Sequence, residues 1–493
     1  MPVLIFFSSV LKSNSSNTTN GLNIKNLFAI SNSVDQPKIN NTRTNEKYRA
    51  IFLRGDIGYR DFLFGEFTLR NDWYSALPPS NNSVFSKSFG GTFVFSELLD
   101  LPFLDFGKIR ASWGEIPTAI EPYSYPGLQY SVGLYKRYGN FMMNTPDQLV
   151  DEDIHGAVKT QKEVGMEFRF LKSRIGFSAT WWDGTEKDIP LVMTIAGYNG
   201  FKTRLTNTGE IAKQGMDFSL DLRPVANSNM TYEINTTFSY LIKNDVKSIA
   251  DGIDQIVLES PILSGAPIMV HAVGKPWGQL FGNGMTMFEG KPLLNPDGSY
   301  VVDPQKYFGS VLPKFTGGIQ NSFKILKNII VTANFDFQIG GKFCSVSENR
   351  GDFSGLSART SGYNDKGNPI RDPVDEGGGV HVTGADATTH EDVDYYVDAY
   401  DYFAGMPVWD SYIYDLTYLK FRELSLGYKI PVNQFKGFGK KIKGISLSFV
   451  CINPWLIYSD SKGFDPSEVS NPSGEIAQYP GTRSFGINLK INL

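Results

Sequence analysis

The sequence predicts an all-β protein, an antiparallel β-barrel that crosses a membrane, and three observations carry that prediction. The first is the stretch Ser484 to Leu493, where Phe485, Ile487, Leu489, Ile491 and Leu493 alternate without a break against Ser484, Gly486, Asn488, Lys490 and Asn492. Period-two alternation marks a strand with one apolar and one polar face. Ten residues at about 3.3 Å each span roughly 33 Å, enough to cross an apolar band of about 25 Å at a tilt near 45°. The second is that such segments recur and run ten residues or more, where strands of soluble sandwiches run about 5–6. The third is that their polar sides carry charge. Glu163, Glu167 and Arg169 oppose Val164, Met166 and Phe168; Asp217 and Asp221 oppose Phe218 and Leu220; Asp336 opposes Phe335 and Phe337. An Arg facing lipid at the bilayer midplane costs about 2–4 kcal/mol, so these sides must face water. Ser484 to Leu493 is read as the strand that closes the wall, because a bare sheet edge invites pairing.

Composition bounds the alternatives. A formal charge of -4 over 493 residues offers no basic surplus for phosphates, which argues against nucleic acid. Aromatics at 14% and 49 glycines suit a large antiparallel β protein. Mean hydropathy is -0.21 and no apolar run approaches about 18 residues, so no transmembrane helix is expected. Cys344 and Cys451 lie far apart and are read as small apolar residues.

In chain order, Pro2 to Leu11 is apolar but short, with no basic residue before it. It reads as an interrupted strand rather than a signal peptide. Residues 1–48 are taken as an irregular N-terminal segment and 49–493 as barrel. Arg49–Gly58 and Phe62–Asp72 flank a tight turn at Tyr59, Arg60 and Asp61. Phe85–Glu97 and Phe106–Glu115 follow. Gln161–Phe170 and Arg174–Asp183 share the turn Leu171–Ser173, and Glu210–Leu222 and Met230–Ile242 come next. Phe315–Lys324 and Ile329–Ile339 turn over Lys327 and Asn328, and Tyr412–Lys429 and Gly444–Tyr458 precede the last strand. Long connections near 116–160, 243–314 and 341–411 are expected at one end, with the short turns at the other. Trp73, Trp113, Trp181, Trp182, Tyr412 and Trp455 are placed at strand ends as interfacial anchors. Trp181 and Trp182 could instead stack on sugar rings. About 13 strands follow Arg49, and single-chain bacterial barrels have an even number. Either Val3–Leu11 supplies a fourteenth, or the chain begins partway round a larger barrel.

Chemistry-bearing motifs are sparse. His381 and His390 share one loop with Glu391 and Asp392, without zinc-ligand spacing. Asn295, Asp297 and Asp303 around Gly298 lack the twelve-residue calcium loop and read as a turn. Gly377–Gly379 lacks the Lys and Ser/Thr of a phosphate loop and reads as loop flexibility. No Ser-His-Asp spacing stands out, so neither catalysis nor a cofactor or metal is expected.

Several stretches resemble the barrel of SusC/RagA-like TonB-dependent transporters. They are Arg70-Asn71-Asp72-Trp73 with Ala76-Leu77-Pro78, Lys108 to Gly114, Asn207 to Glu210 with Gly215-Met216-Asp217, and Lys314 to Gly318. The fullest match is Tyr418 to Tyr428, which includes Leu419, Arg422, Glu423, Ser425 and Tyr428. Gly463-Phe464-Asp465-Pro466 and Tyr479 to Gly486 complete the series. The resemblance implies a barrel of about 22 strands plugged by an N-terminal domain, in a Gram-negative outer membrane. It also implies contact with outer-membrane lipid and the barrel assembly machinery, a SusD-like lipoprotein lid, and import of glycans or peptides. TonB would supply energy only through a plug, and no plug, TonB-contacting segment or signal peptide is seen in this sequence. The chain therefore resembles a plugless C-terminal fragment of such a transporter, unable by itself to support energised uptake. Two departures stand out: the family barrel usually ends on an aromatic residue where this sequence has Leu493, and Pro454 sits inside a strand, implying an edge, a bulge or an early end. A passive pore or surface-binding barrel is the alternative function, and a secreted carbohydrate-active β protein a third.

Overall fold

The computed structural model describes residues 2–492 apart from 125–130, 136–139, 145, 251, 260–262, 264, 327, 432–441, 462, 470 and 472. Leu493 of the expected closing strand and Lys327 of the expected turn lie outside the described residues. Among the described residues fourteen long strands carry the wall: β1 (Pro2–Leu22), β2 (Ser33–Tyr59), β3 (Leu63–Tyr74), β4 (Ser83–Phe93), β5 (Leu104–Pro117), β6 (Val158–Phe170), β7 (Ile175–Thr194), β8 (Thr203–Ala226), β9 (Met230–Ser248), β10 (Phe315–Ile325), β11 (Ile329–Ile339), β12 (Tyr418–Ile430), β13 (Gly444–Ser459) and β14 (Ser484–Asn492). The chain divides into two compact units, one of Met1–Phe93, Arg110–Glu163 and Gly184–Glu210, the other of Val94–Ile109, Val164–Asp183 and Ile211–Leu493.

In the first unit β1 to β4 are hydrogen-bonded in chain order, and the short strand Gln148–Val150 joins residues 203–205 of β8 in parallel. The β1–β2 hairpin pairs antiparallel from Pro2↔Leu53 to Leu22↔Ser33. Residues 2–22 and 33–48, read from the sequence as an irregular segment with an interrupted strand, are therefore strand, the latter running on into the expected Arg49–Gly58, so that β1 and β2 are unusually long. Their distal halves are rich in Ser, Asn and Thr with few apolar residues. Cross-strand backbone pairing, which carries no sequence signature of its own, holds them extended. The core of this unit lies in its connections, where Ala76, Leu77, Ile120, Ile154 and Leu205 pack together.

In the second unit β9 to β14 follow in chain order, each pairing antiparallel with the next. One face carries stacked aromatics: Phe238 lies 5.5 Å from Phe315 and 6.3 Å from Phe337, and Phe335 lies 4.6 Å from Phe421. A Cβ on Gly317 would sit 2.5 Å from the Phe337 ring, so glycine leaves the space that ring fills. The apolar face of β14 is open, with Phe485 and Ile487 exposed at 66% and 78%. Many of the fully buried side chains lie instead in the connections, Phe343, Leu280 and Leu294 among them. A wall that leaves its apolar face bare and buries its loops is built for lipid outside and water within.

The turns and loops divide as alternation requires. Arg60 and Asp61 both hold positive φ, as do Leu171, Lys172, Ser173 and Leu326, the dihedrals of tight hairpin turns. At the opposite strand ends of the second unit the long connections build sheets of their own. Gln255–Glu259, Ile268–Ala272, Gln279–Met285 and Val302–Ser310 form one, and Met287–Phe288, Lys291–Leu294, Val380–Asp386 and Asp392–Val397 a second. Lys342–Ser345 joins Ile413–Asp415 and Gly474–Glu475 in a third.

Two sequence expectations need correction. Trp181 and Trp182 are not at a strand end, because β7 runs on to Thr194, and the Trp182 ring lies over Gly215, where a Cβ would come within 2.4 Å. Gly377–Gly379 is not a flexible stretch. A Cβ on Gly378 would meet the Asp372 carbonyl oxygen at 2.0 Å, and Gly377 and Gly379 hold φ of +91° and +86°. Close approach and left-handed backbone require these glycines.

Candidate functional site

The polar face of the second unit is organised where β12 meets the loop between β13 and β14. Asn334 faces Glu423 while Phe335 faces Phe421, so Arg422 is an extra residue in β12. Across the other edge Phe421 faces Trp455 and Glu423 faces Ile452, leaving Asn453 and Pro454 opposite Arg422. Of the three sequence readings of Pro454, the bulge is the one seen. Proline removes a ladder donor where the ladder is already broken, and Asn453 takes a φ of +51° that asparagine tolerates. The bulge turns Arg422 to the face of Asp336. Its Nε and Nη2 donate to the two carboxylate oxygens at 2.6 and 2.9 Å, and Tyr418 Oη donates to the same carboxylate at 2.9 Å. Glu423 sits across from Asn334, and Ser425 and Tyr428 lie opposite Thr332 and Ile329. Leu419 pairs with Phe337 on the apolar side.

Two residues earlier, Lys420 is 2% exposed. Its Nζ lies 2.6 Å from Asp465 and 2.9 Å from both Glu468 and Ser467 Oγ. Burial pushes the Asp465 carboxyl up, but hydrogen bonds from Lys420 and Ser467 outweigh it and hold the group below the usual carboxylate range. Phe464 packs edge-on against Phe343 at 5.3 Å. Farther along, Glu475 accepts from Ser345 Oγ at 2.6 Å and from Ser347 Oγ at 2.8 Å. The Gly463–Pro466 motif is thus the near end of a strap, residues 460–483, tied to the wall by Lys420 and to the loop layer by Glu475.

The motif in the first unit serves a similar wall. Arg70 donates to Asp72 through Nε and Nη2 at 2.7 and 2.6 Å, and Asp72 is buried. Asn71 donates to Ser83 Oγ at 3.0 Å, and Trp73 is half-exposed on the alternate face. Arg70 and Asp72 line an open cavity of about 690 Å³ with Glu66, Glu115 and Glu163. Among the closing-strand residues, Ile487, Leu489 and Ile491 pair with Phe449, Leu447 and Ile445, and Phe485 with Cys451. Among the described residues β14 is hydrogen-bonded to β13 alone.

The loop layer contains a second polar centre that sequence reasoning missed. Asp352, buried to 2% exposure, takes Arg359, Ser357 and the Tyr412 hydroxyl, the last at 2.9 Å. It borders two adjoining cavities, an open cleft of about 420 Å³ and a partly open chamber of about 200 Å³. His381 lies between Asp365 and Asp394 at 3.2 and 3.3 Å, whereas His390 stacks on Phe288 at 4.1 Å, so the two histidines do not share a site. Asp297 accepts from the Ser299 backbone and hydroxyl in a turn. Buried His271, beside the Trp277 ring, has its pKa pulled down to about 4 by burial and by Lys213. Cys344 and Cys451 are free and buried. Lys420 could have been found from the sequence as a charge at a polar position of β12. Its partners could not, being 45 to 48 residues away in a loop without periodicity.

Comparison with known proteins accords with this geometry. The family model described as TonB dependent receptor-like, beta-barrel matches residues 10–365. The chain is 22% identical over 482 residues to "TonB-dependent receptor P3" of Formosa agariphila, covering 90% of this chain and 45% of that protein. It is 22% identical over 484 residues to "TonB-dependent receptor P26" of the same organism, covering 90% and 46%. It thus spans about half the length of the curated relatives it matches. Among solved structures, the RagAB peptide importer in its closed-closed state aligns with a TM-score of 0.73 at 17% identity, over 99% of this chain and 53% of that chain. At that identity the likeness shows the fold, a large antiparallel barrel wall.

Proposed function

Since the chain belongs to the TonB-dependent receptor-like β-barrel family, whose members are outer-membrane transporters of Gram-negative cells rather than enzymes, we propose that it forms the wall and outer loops of a nutrient importer. One observation supports this above all: a charged, internally paired face backs an exposed aromatic face, and the connections at one end are knitted into a folded layer. That layer suits capture of a solute from outside. The cargo we propose is an oligomer, a glycan or a peptide; the RagAB structure is described as that of a peptide importer. In the whole protein, energy would enter from TonB through a plug within the wall, and a SusD-like lipoprotein would cover the loop layer. The free edge of β14 would pair with a further strand to close the wall. Deleting TonB in cells carrying the whole protein should abolish uptake of its cargo. Uptake that persists unchanged would instead identify a passive pore.

A further inference from the structure

We propose that the 200 Å³ chamber in the loop layer binds one uncharged apolar side chain of an extended peptide, whose main chain lies in the adjoining 420 Å³ cleft. The proposal rests on the importer reading only for the origin of the peptide. The chamber is walled by Met285, Val380, Tyr402, Met406 and Val408, with Tyr300 beside them. Its volume equals that of roughly seven waters at about 30 Å³ each, enough room for a leucine or phenylalanine side chain. Methionines adapt their shape to such a guest.

The polar groups at the chamber's edge are already satisfied. Asp352 is taken by Arg359, Ser357 and Tyr412, and Arg359 lies over the Tyr412 ring at 5.0 Å. The Tyr300 and Tyr402 rings lie 6.4 Å apart, tilted against each other. Among the described residues, the buried side-chain atoms without a partner are Asn244 Oδ1, His271 Nδ1 and Asn334 Oδ1, none of which lines the chamber. A guest therefore meets no unpaired charge, since the charged groups of the lining, Asp352 and Arg359, are bonded to each other. A hydroxyl-rich ring here would have to compete with those existing bonds for its partners, at a cost an apolar side chain avoids. This is what favours a peptide over a sugar.

The cleft differs in character. It shares Asp352 and Phe403 with the chamber and adds Arg371 and Asp398, a donor and an acceptor for main-chain amides. Arg371 is fixed by hydrogen bonds to the Thr360 and Gly355 carbonyl oxygens at 2.5 and 2.6 Å. Exposed Tyr400 and Phe353 flank the path. Phe403, between the two spaces, belongs to a π-helical turn, Asp401–Gly405, a geometry common at functional sites.

The test is calorimetric titration of the purified whole protein with four pentapeptides, each of four alanines around a central leucine, phenylalanine, serine or aspartate. Leucine and phenylalanine peptides should bind at least about tenfold tighter than the serine peptide, the aspartate peptide weakest. Met406→Trp fills the chamber and should erase that preference while leaving weak binding in the cleft. Met285→Trp, with an unchanged melting transition, serves if Met406→Trp does not fold. Equal binding of all four peptides, a preference that survives the filled chamber, or displacement of the peptides by maltohexaose overturns the proposal. A clear preference without TonB-dependent uptake would sink the importer reading and leave the chamber standing.

Discussion

Replacing Lys420 by methionine should open the strap between β13 and β14, and the geometry sets the size of the effect. The Lys420 side chain is 3% exposed, and its amine is shared by Asp465, 18% exposed, and Glu468, 33% exposed. Removing one partner of a buried ion pair costs about 3–5 kcal/mol, because the surviving charge stays desolvated. Water reaches both carboxylates here, and Glu468 keeps Arg422 at 3.8 Å, so about 2–3 kcal/mol is the appropriate scale. That is roughly a 30- to 150-fold rise in the fraction of molecules with the strap open. Hydrogen exchange should read it directly, as loss of protection at the amides of 463–475 with β9 to β11 unchanged. Adding Asp465→Asn to Lys420→Met should recover part of the loss, since the stranded charge is gone. Asp465 titrates below its usual range in the fold, so its contribution is present above about pH 4 and is lost as pH falls further. A change smaller than twofold in exchange would refute the reasoning and mean the strap is held by Glu475 and Phe464 alone.

Three further outcomes follow from the same structure. Leu171, Lys172 and Ser173 hold φ of 56°, 60° and 56°, so Lys172→Gly should stabilise the β6–β7 turn by about 0.5–1 kcal/mol in urea unfolding of the detergent-folded protein. Ala333→Arg, at the middle of β11 on the apolar face, should cost about 2–4 kcal/mol in the same assay, while Thr332→Arg, one residue along on the polar face, should cost far less; equal costs would contradict the assignment of faces. His271 titrates near 4 when folded and near 6.5 when unfolded, so the unfolded chain binds the extra proton between those values. Its share of stability is therefore complete above about pH 6.5 and declines by up to roughly 3 kcal/mol as pH falls toward 4. Protease resistance of the Ile268–Ala272 sheet should fall over that window and flatten in His271→Phe.

What the sequence determined by itself is what repeats locally. Alternation of Phe335 and Phe337 with Asp336, or of Leu489 and Ile491 with Lys490, assigns strands and their two faces, because the side-chain period of a strand is intrinsic to its backbone. The turns at Arg60 and Ser173 and the irregularity at Pro454 were legible for the same reason. The extended distal halves of β1 and β2 were not, since Ser, Asn and Thr have no apolar face to alternate and become strand only by pairing with each other. Nor were the partners of Lys420, Glu475 and Asp352. Ser345 and Glu475 stand 130 residues apart and Asp352 and Tyr412 stand 60 apart, in loops with no period at all. Only the fold brings such groups within hydrogen-bonding reach, and burial then decides the outcome, because a desolvated charge must be paired wherever in the chain its partner lies.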